Sequence, residues 1–408
     1  MRGPGAGMRR VAVVIGASQL VVYGCTYYLP AVLAAPAAAD LGVSRAALLG
    51  AFSWALLVAG IGAPIVGRRI DRAGGRGVLA ASCAIMAAGL VLLALAHGLA
   101  VWYAGWIVLG AGMALGLYDA AFATIGVLFG HDSGRAIMGV TLIAGFASSV
   151  FWPLGTALEA SWGWRGMLLA YAALLLAINM PAMLLGVPAG VAHQREGRGA
   201  GADERPVANP GRALALLAIF FTLRWLITSG IAVLILRLLE GRGLSAAQAV
   251  TVAAMLGPGQ VLGRVVEWSL AGRLSLFTRA RAGALLMPCA GLLLLLPGVV
   301  PAGAFALLYG MSNGILTINR GTLPMALFGR AGYAQRLGWL ATPALLAQAA
   351  APPLAAMLLA SVATRGTILV AVLLGLTAAL VLALLGRAAG LRQAAPGATE
   401  MSPHRPAR

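Results

Sequence analysis

The chain has 408 residues, of which 61% are hydrophobic and 10% charged, and it contains 29 basic and 11 acidic residues. This composition is more apolar than that of soluble domains and predicts a protein that crosses a membrane several times. A net charge of +18 would suggest nucleic-acid binding in a soluble protein. Because the basic residues, all arginines, gather at alternate ends of apolar runs, we interpret the charge as topological and expect no nucleic-acid partner.

Twelve apolar runs are long enough to cross a bilayer as helices, since lipid leaves no other way to satisfy the backbone of a single segment. They lie near residues 11–36, 46–66, 78–97, 101–124, 136–158, 166–188, 213–238, 247–268, 281–298, 302–322, 336–360 and 367–387. The predicted fold class is therefore an all-α membrane protein with twelve transmembrane helices.

The ends of these runs differ in charge. Arginines cluster beside both termini, around Arg135, between Arg195 and Arg212, and between Arg273 and Arg281, whereas the intervening loops carry mostly single ones. The positive-inside rule then predicts that both termini and the middle segment are cytoplasmic. We expect a multi-pass protein of the cell (inner) membrane, in contact with the lipid bilayer and monomeric.

The chain repeats itself with a period of about 200 residues. Gly42-Val43-Ser44 matches Gly243-Leu244-Ser245 and Arg72 matches Arg273 at a shift of 201, whereas Gly110, Pro153 and Arg165 match Gly310, Pro353 and Arg365 at a shift of 200. We predict two pseudo-symmetric six-helix bundles at residues 1–188 and 213–390, a cytoplasmic linker at 189–212 and a cytoplasmic tail at 391–408. Bundles duplicated in this way are a transporter design whose binding site lies between the halves near mid-membrane.

A charged segment, GRRIDRAGGRG, follows the second run and contains five charges in eleven residues. Its residues Gly67, Asp71, Arg72, Gly74 and Arg76 match the motif between helices 2 and 3 of the major facilitator superfamily, which the chain resembles over its whole length. Arg69 and Gly75 depart from the motif. Gly163-Trp164-Arg165 at the start of helix 6 resembles a second feature of the family.

The resemblance implies a transporter that works by alternating access, in which Asp71 and its arginines form a cytoplasmic latch between the bundles. The alternative is a solvated basic loop that only sets topology. Two features of the family's drug/proton antiporters are missing: Trp106 replaces an arginine in helix 4, and Phe151-Trp152-Pro153 replaces a Gly-Pro motif in helix 5. These departures disfavour a multidrug transporter.

Charged residues inside the membrane are functional candidates because they are costly to insert. Arg224 lies about eleven residues into helix 7, near the midplane, and its repeat partner is Tyr23. With Trp225, Tyr27 and Asn313, Arg224 suits the capture of a carboxylate or a similar oxyanion. A structural pairing of Arg224 with a neighbouring helix is the alternative.

Asp119 in helix 4 has Asn319 and Arg320 as its repeat counterparts in helix 10. An ion pair between Asp119 and Arg320 would form an inner gate between the bundles. Asp119 could instead carry a coupling proton or serve as a structural partner.

Helix 8 places Gln260, Arg264 and Glu267 on one face, where the repeat predicts a second latch. The alternative is a local ion pair between Arg264 and Glu267.

These features favour a secondary active transporter of a small solute, by symport or antiport, with protons as candidate coupling ions. Intramembrane arginines outnumber carboxylates, so an organic anion is the expected substrate; efflux of a drug or other hydrophobic compound is the alternative. A non-transporting membrane sensor is the competing class. We expect no enzyme, no cofactor and no metal, because the four histidines lie in loops or the tail and a chain without lysine contains no Gly-x4-Gly-Lys motif.

Overall fold

The computed structural model describes residues 4–190, 207 and 209–388, so the predicted tail and most of the predicted linker lie outside the described residues. The first half is built from nine α-helices: α1 Pro4–Val22, α2 Leu29–Leu41, α3 Arg45–Ala73, α4 Arg76–Ala94, α5 Leu99–Gly116, α6 Tyr118–Phe129, α7 Ser133–Ala144, α8 Ala147–Leu174 and α9 Met180–Gly186. The second half has six: α10 Pro210–Glu240, α11 Ala246–Ala254, α12 Leu256–Leu270, α13 Leu276–Leu293, α14 Val299–Phe328 and α15 Tyr333–Ala388.

Within the described residues these helices make twelve passes. Some passes combine two helices: α1 continues into α2 through a π-helical turn at Tyr23–Tyr27, α5 meets α6 at an extended Leu117, and α11 meets α12. Two helices instead reverse direction, α8 at Gly163 (φ 67°) and α15 at Ala363 (φ 55°). The twelve predicted helices are therefore confirmed, although several extend into polar sequence beyond the apolar run.

The two halves repeat one another in structural detail. The reversals at Gly163 and Ala363 are 200 residues apart. Ser44 caps α3 by accepting from the Ala47 amide, and Ser245 caps α11 in the same way from the Gln248 amide. Both caps use a side-chain oxygen to satisfy an amide that the helix leaves free.

Close helix approach also recurs at equivalent positions. A side chain on Gly110 would meet the backbone of Ala55, and one on Gly310 would meet the backbone of Leu256. Glycine at both sites allows passes 2 and 4, and likewise passes 8 and 10, to pack in contact, as is usual for membrane helices. The predicted pair of pseudo-symmetric six-helix bundles is confirmed.

Candidate functional site

A polar cavity of about 230 Å³ lies between the two bundles. Its walls come from passes 1, 2, 4 and 5 of the first bundle and passes 7, 8, 10 and 11 of the second. Three arginines but one carboxylate line it: Arg224, Arg264 and Arg320 against Asp119. The cavity therefore carries a positive excess at a depth where charge is costly.

Arg224 dominates the wall formed by the second bundle. The side chain is 4% exposed, and its Nη2 donates to Asn313 Oδ1 at 2.9 Å and to Ser312 Oγ at 3.2 Å. Ser312 in turn donates to the Gly283 carbonyl, which fixes its orientation. Nε and Nη1 of Arg224 are buried without a hydrogen-bond partner among the described residues. A guanidinium with two unused donor atoms and no ion pair to another described residue is suited to an oxyanion.

Arg264 projects from α12 toward the first bundle. It is 5% exposed, and a side chain on Gly145, the residue after α7, would lie 1.9 Å from its Nη1. Glycine at position 145 therefore leaves the room that the Arg264 guanidinium occupies. Gln260, one turn earlier on α12, lines the same cavity.

The alternative to a second latch, a local ion pair between Arg264 and Glu267, is wrong, because Glu267 pairs with Arg279 instead. Glu267 is 1% exposed and accepts from Arg279 Nη1 of α13 at 2.6 Å. Arg264 and Glu267 differ by three positions on α12, yet one lies at the cavity and the other at the α13 interface. Glu267 also lines a small cavity together with Ser133 and Met138 of the first bundle, so the second latch stays a prediction.

Tyrosines form the wall of the first bundle. The π-helical turn Tyr23–Tyr27 widens pass 1 locally and brings Tyr23, Tyr27 and Tyr28 to the cavity, where Tyr118 of α6 joins them. Ring centroids lie 4.6 Å apart for Tyr23 and Tyr118 and 5.5 Å apart for Tyr23 and Tyr27. Such single π turns inside α-helices occur often at functional sites.

Asp119 and Arg320 join the two walls. Arg320 Nη2 donates to Asp119 Oδ2 at 2.6 Å, and the guanidinium lies 5.1 Å from the centre of the Trp225 ring. The break at Leu117 places Asp119 in the first turn of α6, where the helix dipole favours a carboxylate. Asp119 Oδ1 is buried without a partner among the described residues. Asn319, the other predicted member of this group, is fully buried away from the cavity lining.

The bundles meet closely at the end that carries Arg10, Asp71, Arg135 and Arg330, which we call the basic end. The Asp71 carboxylate accepts from the amides of Ala334 and Gln335 at 3.1 and 2.9 Å, at the start of α15. Arg330 donates to the Val127 carbonyl.

Of the other motif residues, Gly67 packs directly on Ala334, and Gly74 approaches the Gly190 backbone. Arg72 and Arg76 make no hydrogen bond to another described residue.

Two further hydrogen bonds connect the bundles between the basic end and the cavity. Thr342 donates to the Gly60 carbonyl at 2.7 Å, and Gln348 donates to the Tyr27 hydroxyl. Among the described residues, the side-chain hydrogen bonds that join the two bundles lie between the cavity and the basic end, or at the edge of the cavity. The structure is therefore closed at the basic end.

The structure brings most of the predicted site residues together. Arg224, Tyr23, Tyr27, Trp225, Asn313, Asp119, Arg320, Gln260 and Arg264 all line the cavity. Tyr118, Thr228 and Gln348 also line it and were not predicted. Tyr118 stands next to Asp119, and Gln348 is a rare polar residue in an apolar run, so both carried a usable signal. Among the described residues no group of three or more possible metal ligands is present.

A second cavity, of about 260 Å³, lies inside the second bundle and is almost wholly apolar. Five glycines and alanines line it: Gly230, Gly291, Ala351, Ala355 and Ala371. Ala355 corresponds to Gly155, but the repeat counterparts of the other four are large: Leu29, Leu90, Phe151 and Tyr171. The second cavity thus follows from lost side-chain volume. It offers no charged group to a solute, so the polar cavity between the bundles is the candidate functional site.

The sequence matches the family model described as the Major Facilitator Superfamily over residues 15–335. No curated protein sequence matches the chain. Among solved structures, the human organic anion transporter MFSD10 (TETRAN) is similar with a TM-score of 0.72 and 17% identity, covering 93% of this chain and 100% of that one. The E. coli fucose:proton symporter FucP is similar with a TM-score of 0.71 and 15% identity, covering 92% and 97%. These likenesses show the fold, and the family match shows that the chain belongs to the Major Facilitator Superfamily of transporters.

Proposed function

We propose that the protein transports a small organic anion across the cell membrane by alternating access. The observation that carries this proposal is the buried Arg224 guanidinium at the cavity, which forms no ion pair with another described residue and leaves Nε and Nη1 without hydrogen-bond partners. An anion accepting from Nε and Nη1 would supply both the missing charge and the missing hydrogen bonds. Arg264 and Arg320 add positive charge to the same cavity.

Asp119 is the proposed coupling residue. Arg320 pairs with Asp119, and an anion bound at Arg224 in the same cavity would attract the Arg320 guanidinium away from Asp119. A buried carboxylate that loses its cation is strongly destabilised in the charged form, so it takes up a proton. The anion and the proton would then cross together. The structural neighbour from E. coli is described as a proton symporter, which agrees with this type of coupling.

The orientation and organisation follow from charge. We infer that the basic end is cytoplasmic, together with both termini, the linker at 189–212 and the tail at 391–408, by the positive-inside rule. Bundles at 1–188 and 213–390 would rock against each other about the cavity. We infer a monomer in the inner membrane, because each chain contains a complete cavity between its own bundles. The same architecture makes the chain a transporter rather than an enzyme.

The competing functions are less well supported. Efflux of a lipophilic cation would place a positive solute beside three arginines, which is electrostatically unfavourable. A sensor would need ligand binding without movement of the solute, and flux separates these possibilities directly.

The test uses purified full-length protein in proteoliposomes and a panel of small carboxylates. Wild type should bind at least one acid and accumulate it when an inward proton gradient is imposed. Arg224→Gln should weaken binding at least about tenfold, since a lost charge-assisted hydrogen bond costs about 1.5–3 kcal/mol. Arg237→Gln is the matched control, because Arg237 lies exposed near the end of the same helix, α10.

Three outcomes would overturn the proposal. Binding by Arg224→Gln at wild-type strength would show that Arg224 does not hold the solute. Binding by wild type without flux would favour the sensor. A preference for lipophilic cations over carboxylates would favour efflux of hydrophobic compounds.

A further inference from the structure

The two walls of the polar cavity differ in chemistry at positions that the repeat makes equivalent. Tyr23 corresponds to Arg224, Tyr27 to Thr228 and Tyr28 to Ser229, each at a shift of 201. All but Ser229 line the cavity. The first bundle therefore presents aromatic rings where the second presents a cation and hydroxyl groups.

The tyrosine wall is continuous. Tyr23 contacts the rings of Tyr27, Tyr28 and Tyr118, with centroids 5.5, 6.2 and 4.6 Å away. Tyr27 and Tyr28 meet edge to face at 5.5 Å. Tyr118 is also stacked on Phe122 and Tyr28 meets the edge of Trp152, so a solute can reach only those parts of the rings that line the cavity. An aromatic ring placed against them is favoured by more than its apolar area alone accounts for.

The tyrosine hydroxyl groups on this wall make few hydrogen bonds to other described residues. Tyr23, Tyr28 and Tyr118 donate no hydrogen bond to other described residues, and Tyr27 accepts from Gln348. The wall is thus not committed to an internal polar network. On the opposite wall, Trp225 is covered by the Arg320 guanidinium, so the free aromatic surface lies mainly on the first bundle.

We propose that the transported anion is an aromatic carboxylate, with its ring against Tyr23, Tyr28 and Tyr118 and its carboxylate at Arg224. This inference rests on the proposed transport of an organic anion and adds the class of substrate. The contrast between the two walls sets the direction in which the solute binds: the ring faces the first bundle and the acid faces the second. An aliphatic acid would satisfy Arg224 but would leave the ring contacts unmade.

The experiment compares two acids that share seven carbons and one carboxylate. Benzoate has a planar ring, whereas cyclohexanecarboxylate has a saturated, puckered one. Wild-type protein in nanodiscs should bind benzoate about tenfold more tightly, since aromatic contacts add up to about 1.5 kcal/mol and 1.4 kcal/mol corresponds to a factor of ten. Equal affinity for the two acids would overturn the proposal.

Variants at Tyr28 separate the ring from the hydroxyl. Tyr28→Phe should keep the preference for benzoate and Tyr28→Leu should reduce it about threefold, with thermal unfolding checked for both. A preference unchanged in Tyr28→Leu would remove Tyr28 from the ring-binding wall. If wild type binds both acids equally and Arg224→Gln loses both, the aromatic class fails while anion transport stands. If wild type binds neither benzoate nor any other acid tested, the proposed function fails as well.

Discussion

Asp119 and Arg320 form an ion pair between two bundles that the sequence relates by a shift of about 200 residues. The pair is largely buried, with side-chain exposures of 16% and 8%. One partner lies in the fourth pass and the other in the tenth, so the contact can exist only while the bundles are close together on this side of the cavity. The presence of this ion pair therefore indicates that the two bundles are closed together on the side of the basic end.

Breaking this pair should impair transport. Asp119→Asn or Arg320→Gln should each lower proton-driven uptake at least about tenfold, because removing one partner leaves a buried charge uncompensated. Asp119→Asn should retain anion exchange measured without a proton gradient, since exchange requires binding and rocking but no proton transfer. Equal loss of exchange and driven uptake would show that Asp119 is a gate or a structural partner and not a proton carrier.

The charge-reversed double variant, Asp119→Arg with Arg320→Asp, tests whether transport requires the ion pair itself or each charge at its own position. It should recover exchange lost in either single reversal, because the ion pair can form again in the opposite sense. A double variant as inactive as the single ones would count against a gating pair.

Asp71 should control closure of the basic end. Its carboxylate accepts two amides at the start of α15, and an uncharged amide side chain would accept more weakly. Asp71→Asn should shift the equilibrium toward a state open at the basic end by about tenfold, from the 1.5–3 kcal/mol typical of a hydrogen bond to a charged group. Asp132→Asn is the control, because Asp132 is exposed at the same end.

Distances between spin labels at the exposed positions Arg69 and Arg273, one in each bundle at the basic end, would measure this shift. Gly67→Ala should act in the same direction as Asp71→Asn, since a methyl group at position 67 would lie 2.2 Å from the Ala334 carbonyl oxygen. Distance distributions identical to wild type in both variants would leave Asp71 as part of a basic loop that only sets topology.

The apolar cavity of the second bundle should be fillable. Ala351→Phe with Ala371→Tyr restores the pair found at the equivalent positions of the first bundle, where Phe151 and Tyr171 rings lie 5.6 Å apart. Filling buried apolar space should stabilise the protein by about 1–3 kcal/mol, which thermal unfolding would detect. Ala356→Phe, at an exposed position, should have little effect. A lower unfolding temperature for the double variant would mean that the cavity has no room for the two rings.

The reversal at Ala363 should be strained. Ala363, with φ 55° and ψ −176°, lies in a backbone region used almost only by glycine, at a cost of about 1–3 kcal/mol, and the equivalent position in the first half is Gly163. Ala363→Gly should therefore raise the unfolding temperature, and Gly163→Ala should lower it. Shifts in the same direction for both substitutions would contradict the equivalence of the two reversals.

Much of the candidate site could be predicted from the sequence because charge at membrane depth is rare. Arg224, Asp119 and Arg320 stand out in apolar runs, and the 200-residue repeat places Asp119 opposite Arg320. The residues that were missed, Tyr118, Thr228 and Gln348, are ones that membrane helices also use for ordinary packing. Tyr118, beside Asp119, and Gln348, in an apolar run, carried a weak signal, whereas a threonine such as Thr228 carries none until its neighbours are known.

The amino-acid sequence alone determined the twelve passes, the duplication and the basic end, because hydrophobic length, repeat spacing and arginine placement are properties of single segments. The tertiary structure decided which side chains meet. Helical periodicity assigns Arg264 and Glu267 to one face of α12, but that face borders both the cavity and α13, so their different surroundings depend on how three helices pack. The break at Leu117 and the π-helical turn at Tyr23–Tyr27 likewise aim Asp119 and the tyrosines into one cavity, and such local departures from α-helix arise from packing that no single segment encodes.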